Sequence, residues 1–206
     1  MIVKVCGITN LADAQAAVSA GANALGFNFY PRSTRYIGIG DATRIIAQLP
    51  PTILKVGVFV NESAVRVADL ARRVGLQVAQ LHGDETPEQY PSDIRVWKAV
   101  RVDSDFSWAA WESSPAEALL LDSAAGGHGG SGQTFDWTRV AGAPRQIILA
   151  GGLDETNVAE AIRIVRPWGV DACSRIESSP GRKDHARMAA YVRAALETSD
   201  SLEARA

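Results

Sequence analysis

Residues Ile53–Val60 read ILKVGVFV and hand over at once to Asn61-Glu62 and a helical stretch that ends at Val74, just before Gly75. A strand with one wet face alternates apolar and polar residues. This one is apolar at almost every position, and so is Ala118–Leu121, ALLL. Near-continuous apolar runs belong to parallel strands covered on both faces, and parallel neighbours need a crossover, usually helical, between them. Outward from these two runs the same grammar recurs: a β-branched run, then an alanine-rich helical stretch. Strands are predicted at Ile2–Cys6, Ala24–Phe29, Ile53–Val60, Gln77–Leu81, Ile94–Val100, Ala118–Asp122, Gln146–Ala150 and Gly169–Cys173. Helices are predicted at Leu11–Ala20, Asp41–Gln48, Glu62–Val74, Glu155–Val165 and Asp184–Leu196. Weaker helical signals lie at Pro87–Tyr90, Phe106–Glu112 and Phe135–Val140. Asn61 and Thr156-Asn157 have cap chemistry, and Gly21 and Gly75 stop their helices. Units of about 26 residues, eight of them, fit a closed barrel or an open doubly wound sheet. An open sheet usually has fewer strands. The prediction is therefore an α/β fold, a single-domain (β/α)8 TIM barrel over residues 1–206, with the tail beyond Glu197 frayed.

Composition narrows the function. The 206 residues are 47% hydrophobic and 21% charged, enough for a full core, and the formal charge of −2 gives no footprint for nucleic acid or an anionic membrane. No apolar run approaches the roughly 18 residues that span a bilayer, and the start of the chain lacks a secretory pattern. Two cysteines far apart in sequence make no disulfide framework, and no cluster has zinc-ligand spacing. The expectation is a protein of the reducing cytoplasm whose partners are small molecules or other protein.

Barrel active sites lie at the C-terminal ends of the strands, which turns strand-end residues into candidates. These are Cys6, Asn28, Gln80, His82, Lys98, Asp122, Gly151, Gly152, Asp171 and Ser174. The literal G-x-G-x-x-G at Gly127–Gly132 is no dinucleotide fingerprint, because it neither follows its strand directly nor opens a long helix. It reads instead as a mobile active-site loop, with His128 facing solvent.

KVCGITN, GANALGFNFYPRSTRY, VGVFVN, QLHGDE, LLLDSAAGGHGGSGQTFDW, ILAGGL, NVAEAI and SSPGRKD stand in the order and at the spacings of one family. From Val3 to about Met188 the chain resembles the phosphoribosylanthranilate isomerases of tryptophan biosynthesis. The resemblance implies a (β/α)8 barrel without cofactor or metal that catalyses an Amadori rearrangement of N-(5′-phosphoribosyl)anthranilate. Matched position by position, it puts the general base on Cys6 and the general acid on Asp122. Without those motifs Cys6 would read as a small buried hydrophobe and Asp122 as the cap of a turn.

The reaction opens a furanose ring and then removes a proton beside a developing Schiff base, so it needs an acid and a base on opposite sides of the sugar. Asp122 closes an apolar strand, where dryness raises its proton affinity. A thiol needs a nearby cation to act as a base at neutral pH, and Arg35 is the expected one. Arg35 also suits the anthranilate carboxylate, planar group against planar group. Gln80 and His82 read equally as substrate contacts and as a structural hydrogen bond, and Asp171 as orienting either the phosphate loop or the base. Gly151, Gly152, Ser174 and Arg175 follow strands seven and eight, where barrels bind phosphate through backbone N–H groups. Arg175 stands where the family commonly has glycine; its side chain either adds charge to the phosphate or points to solvent. Thr34 stands where proline is commoner. Asp13, Asp136 and Asp154 read as helix-start carboxylates and Lys98 as structural. In a closed barrel strands one and eight are neighbours, which puts Cys6 and Cys173 on one rim, where oxidation would disable the site. The alternatives are a histidine-pathway or dual-substrate phosphoribosyl isomerase, which should carry aspartate at Cys6, and a non-catalytic phosphosugar-binding barrel. The partner is a small phosphoribosyl compound, and the chain is a monomer or homodimer.

Overall fold

The structure, a computed structural model, describes residues 1–123 and 134–204. The Gly126–Gly132 loop and His128 lie outside the described residues. Eight parallel strands close into a barrel in sequence order: β1 (Ile2–Cys6), β2 (Ala24–Asn28), β3 (Leu54–Phe59), β4 (Val78–Leu81), β5 (Arg95–Val102), β6 (Ala118–Ser123), β7 (Ile147–Leu149) and β8 (Gly169–Ala172). β1 closes the barrel by pairing with β8, Ile2 opposite Gly169 and Val5 opposite Ala172. Each predicted strand is present, with its ends within two residues of those expected.

Period-two alternation sorts each strand into two faces. Val56, Val78, Trp97, Ala99, Ala118, Leu120, Ile148 and Ala150 fill the barrel, and Trp97 meets Trp168 edge to face at 5.8 Å. The alternate residues, among them Val3, Val5, Leu25, Phe27, Leu119 and Leu121, pack outward as part of the larger core. Two cores from one set of strands explain why ILKVGVFV and ALLL are apolar throughout.

The helices are α1 (Leu11–Ser19), α2 (Ile39–Ile46), α3 (Ala64–Val74), α4 (Val158–Val165) and α5 (His185–Glu203). The three weak helical signals are single 3-10 turns, at Pro87–Gln89, Trp108–Ala110 and Trp137–Val140. Ser63, not Asn61, caps α3, its side chain accepting from the Arg66 amide. Asn61 instead takes φ of 53° and accepts from the Asp84 amide. Asn157 precedes α4, but its carboxamide accepts from Asp154 behind it. Beyond Glu197, where fraying is expected, α5 continues to Glu203 with Thr198 and Ser199 buried. A short antiparallel pair without a sequence signal, β9 (Glu177–Ser179) and β10 (Arg182–Lys183), folds over the rim beside β1 and β8.

Candidate active site

Cys6 ends β1 opposite Gly26 of β2, and the residue is 8% exposed at the mouth of the barrel. The groups around it were only partly foreseen. Lys4, two residues earlier on the inward face, is fully buried and donates to Asp171 of β8 at 2.9 Å. Cys173, just past β8, is hydrogen-bonded to Cys6. That bond, followed by the Lys4 ammonium and the more distant Lys183, outweighs burial and holds the Cys6 thiol well below its ordinary value. The same hydrogen bond, with burial, pushes the Cys173 thiol well up.

Arg35 was expected to be the cation that activates the thiol. Its guanidinium instead grips Glu177 of β9, Nε to Oε1 at 2.9 Å and Nη2 to Oε2 at 2.7 Å. Glu177 also takes Lys183 at 3.0 Å. Glu177 is a buried carboxylate, and leaving it unpaired would cost several kcal/mol. Lys4 is the cation that also hydrogen-bonds the thiol, while Arg35, held by Glu177, acts on both cysteines through its charge alone. Arg35 still borders the site, with its Nη1 edge unpaired among the described residues.

Asp122 lies across the mouth on β6, 8% exposed, with the Ser123 amide donating to Oδ1 at 2.8 Å. Burial, opposed by that amide and reinforced by the charge on Cys6, pushes its carboxyl up to about 6. His82 presents Nε2 to Asp122 Oδ2 at 3.6 Å, and its Nδ1 meets Gln80 Nε2 at 3.0 Å. Gln80 and His82 thus form a short chain leading to Asp122. Asp171, inside the barrel beneath the thiol, is pushed up to about 7 by burial against the pull of Lys4.

Gly151, Gly152, Ser174, Arg175, Asp122 and Asp171 share one small cavity of about 40 Å³. At Gly151 φ is 78°, and a Cβ there would stand 2.6 Å from the Ser123 amide and 2.8 Å from Asp122 Oδ1, so only glycine lets β7 pass the acid. Arg175 Nε donates to Asp154 Oδ2 at 2.8 Å, and the side chain is half exposed at the cavity edge. Asp154, expected only to start a helix, is the residue that aims it. A larger cavity of about 610 Å³ opens beyond Asp122, lined by His82, Lys98, Arg101, Phe106 and Trp111 among others. Lys98, which reads as structural from the sequence, is buried and paired with Glu85 at 2.8 Å. Among the described residues no group of His, Cys, Asp or Glu is placed to hold a metal ion, and no helix is long and apolar enough to cross a membrane.

A closed parallel barrel with a buried thiol, a raised carboxyl and a glycine-lined cradle at its C-terminal mouth defines a (β/α)8-barrel enzyme. The model of the N-(5′-phosphoribosyl)anthranilate isomerase family matches residues 3–194. The chain is 54% identical over 196 residues to an N-(5′-phosphoribosyl)anthranilate isomerase from Solibacter usitatus, covering 95% of this chain and 97% of that one. Its fold is similar to a crystal structure of phosphoribosyl anthranilate isomerase in complex with reduced 1-(o-carboxyphenylamino)-1-deoxyribulose 5-phosphate, with a TM-score of 0.83 and 40% identity over 96% of this chain and 100% of that chain. It is also similar to the crystal structure of mutually generated monomers of dimeric phosphoribosylanthranilate isomerase from Thermotoga maritima, with a TM-score of 0.84 and 40% identity over 96% of this chain and 100% of that chain. The chain belongs to the N-(5′-phosphoribosyl)anthranilate isomerase family and is an isomerase.

Proposed function

We propose that this isomerase converts N-(5′-phosphoribosyl)anthranilate to 1-(2-carboxyphenylamino)-1-deoxyribulose 5-phosphate, with Asp122 as general acid and Cys6 as general base. One observation carries the assignment. On one rim stand two titratable groups whose environments shift their proton affinities in opposite directions from their ordinary values, the thiol well down and the carboxyl up to about 6. Asp122 holds the proton that opens the ring at its oxygen; Cys6 takes the proton from the carbon beside the resulting Schiff base. The substrate brings its own amine, so no Schiff-base lysine is required.

The 5′-phosphate belongs in the cradle of Gly151, Gly152 and Ser174, where backbone approaches closely. Arg175, held by Asp154, adds a cation at its edge. The unpaired edge of Arg35 suits the anthranilate carboxylate. Gln80 and His82 act on the substrate through Asp122, and Asp171 acts on the base side. The enzyme needs no cofactor, works in the cytoplasm, binds neither nucleic acid nor membrane, and is a monomer or, like the relative described as dimeric, a homodimer.

Complementation tests the substrate. The gene should restore growth to a tryptophan auxotroph lacking this isomerase and not to a histidine auxotroph lacking the analogous one. Rescue of both would indicate a dual-substrate enzyme; rescue of neither would defeat the proposal.

A further inference from the structure

We propose that Lys4, clamped by Asp171 inside the barrel, is a positioning residue that keeps Cys6 charged and ready to accept the substrate proton. The inference deepens the reading of Cys6 as general base and rests on it. A lysine in the middle of an apolar strand, 0% exposed, needs a reason to be there, because a buried ammonium without partners costs several kcal/mol. Asp171 Oδ1 at 2.9 Å satisfies one donor. The rest of the head group points toward the rim, as Gly26 shows: a Cβ built there would lie 2.7 Å from Cys6 Sγ and 3.1 Å from Lys4 Nζ. Thiol and ammonium therefore crowd the same small space, which is open because β2 has no side chain opposite Cys6.

The other charged and titratable groups around the thiol do not replace Lys4. Cys173 supplies a hydrogen bond but no positive charge. Lys183 and Arg35 add positive charge from outside the barrel, but each is bound to Glu177 and neither hydrogen-bonds the thiol. Asp122 is acidic and opposes a thiolate. Asp171 is also acidic, but burial drives its proton affinity up, so it anchors the ammonium while cancelling its charge only in part. Alternation places Lys4 and Cys6 on one face of one strand, so the distance between charge and thiol is set by the backbone rather than by a flexible loop.

The test reads Cys6 directly. In a Cys173→Ser background, which leaves one thiol and retains a hydrogen-bond donor beside it, the ultraviolet absorbance of the thiolate is followed against pH. Lys4→Gln deletes the charge and still offers Asp171 a donor. It should move the titration midpoint up by about one pH unit or more, a tenfold loss of thiolate at fixed pH, and the acid limb of kcat/KM should move with it. Gly26→Ala, which wedges the two groups apart while keeping both, should move both readouts the same way, so the question stays open to test if Lys4→Gln does not fold. A titration that stays in place in either folded variant overturns the role of Lys4. A titration that moves while the kinetic limb stays in place overturns instead the assignment of Cys6 as base.

Discussion

At the scale of single residues, proton affinities dictate the behaviour. Asp122 must enter the reaction protonated, and its carboxyl is pushed up to about 6. The kcat/KM profile of the free enzyme should therefore fall as pH rises through an alkaline limb near 6, and Asp122→Asn should remove that limb. Stability has the same origin. Between pH 4 and 6 the native carboxyl keeps a proton that the unfolded chain releases, so unfolding free energy falls as pH rises through that window. Asp122→Asn should thus stabilise the fold by up to about 3 kcal/mol at pH 8 and by almost nothing below pH 4, measured by denaturant titration at both. Equal effects at the two pH values would show that the site is not dry. Arg175 makes a smaller demand: Arg175→Gly should raise KM several-fold while leaving kcat nearly intact, as expected of a group that binds phosphate and takes no part in proton transfer.

Elements show how much of this was legible in the sequence. Strand identity and order were, because burial on both faces writes itself as continuous apolar runs, and Cys6 and Asp122 stood among the strand-end residues, singled out there by the family motifs around them. Lys4 left the same kind of mark, a charge inside IVKVC, but its partner Asp171 lies 167 positions away and only the closure of β1 on β8 joins them. Arg35 could not be placed correctly, because Glu177 belongs to a hairpin that has no periodic signal of its own. The 3-10 turns after β4, β5 and β6 looked like weak helices because three residues of either have similar local chemistry. β1–β8 adjacency also carries a prediction. Hydrogen peroxide should oxidise the Cys6 thiolate to a sulfenic acid, expelling hydroxide, and the Cys173 thiol should then displace water to form a disulfide. Activity should fall on peroxide treatment and return with dithiothreitol. Full activity with both thiols still titrating free would contradict it.

Across the whole molecule, stability and chemistry are separated along the barrel axis. The floor is apolar, with Trp97 packed on Trp168 and its indole N–H donating to Glu117 at 2.8 Å. Trp97→Ala should cost about 3–5 kcal/mol in unfolding free energy and leave the pH profile of the folded enzyme unchanged. The rim carries the buried charges and the perturbed groups, and there substitutions should cost rate before they cost stability. The most direct measurement is the turnover of N-(5′-phosphoribosyl)anthranilate by the purified chain and by Cys6→Ser and Asp122→Asn, each verified as folded by circular dichroism. Both variants should lose about 10²- to 10⁴-fold in turnover. Near-normal turnover in a folded Cys6→Ser or Asp122→Asn would contradict the account and, in the first case, move the search for the base to Asp171.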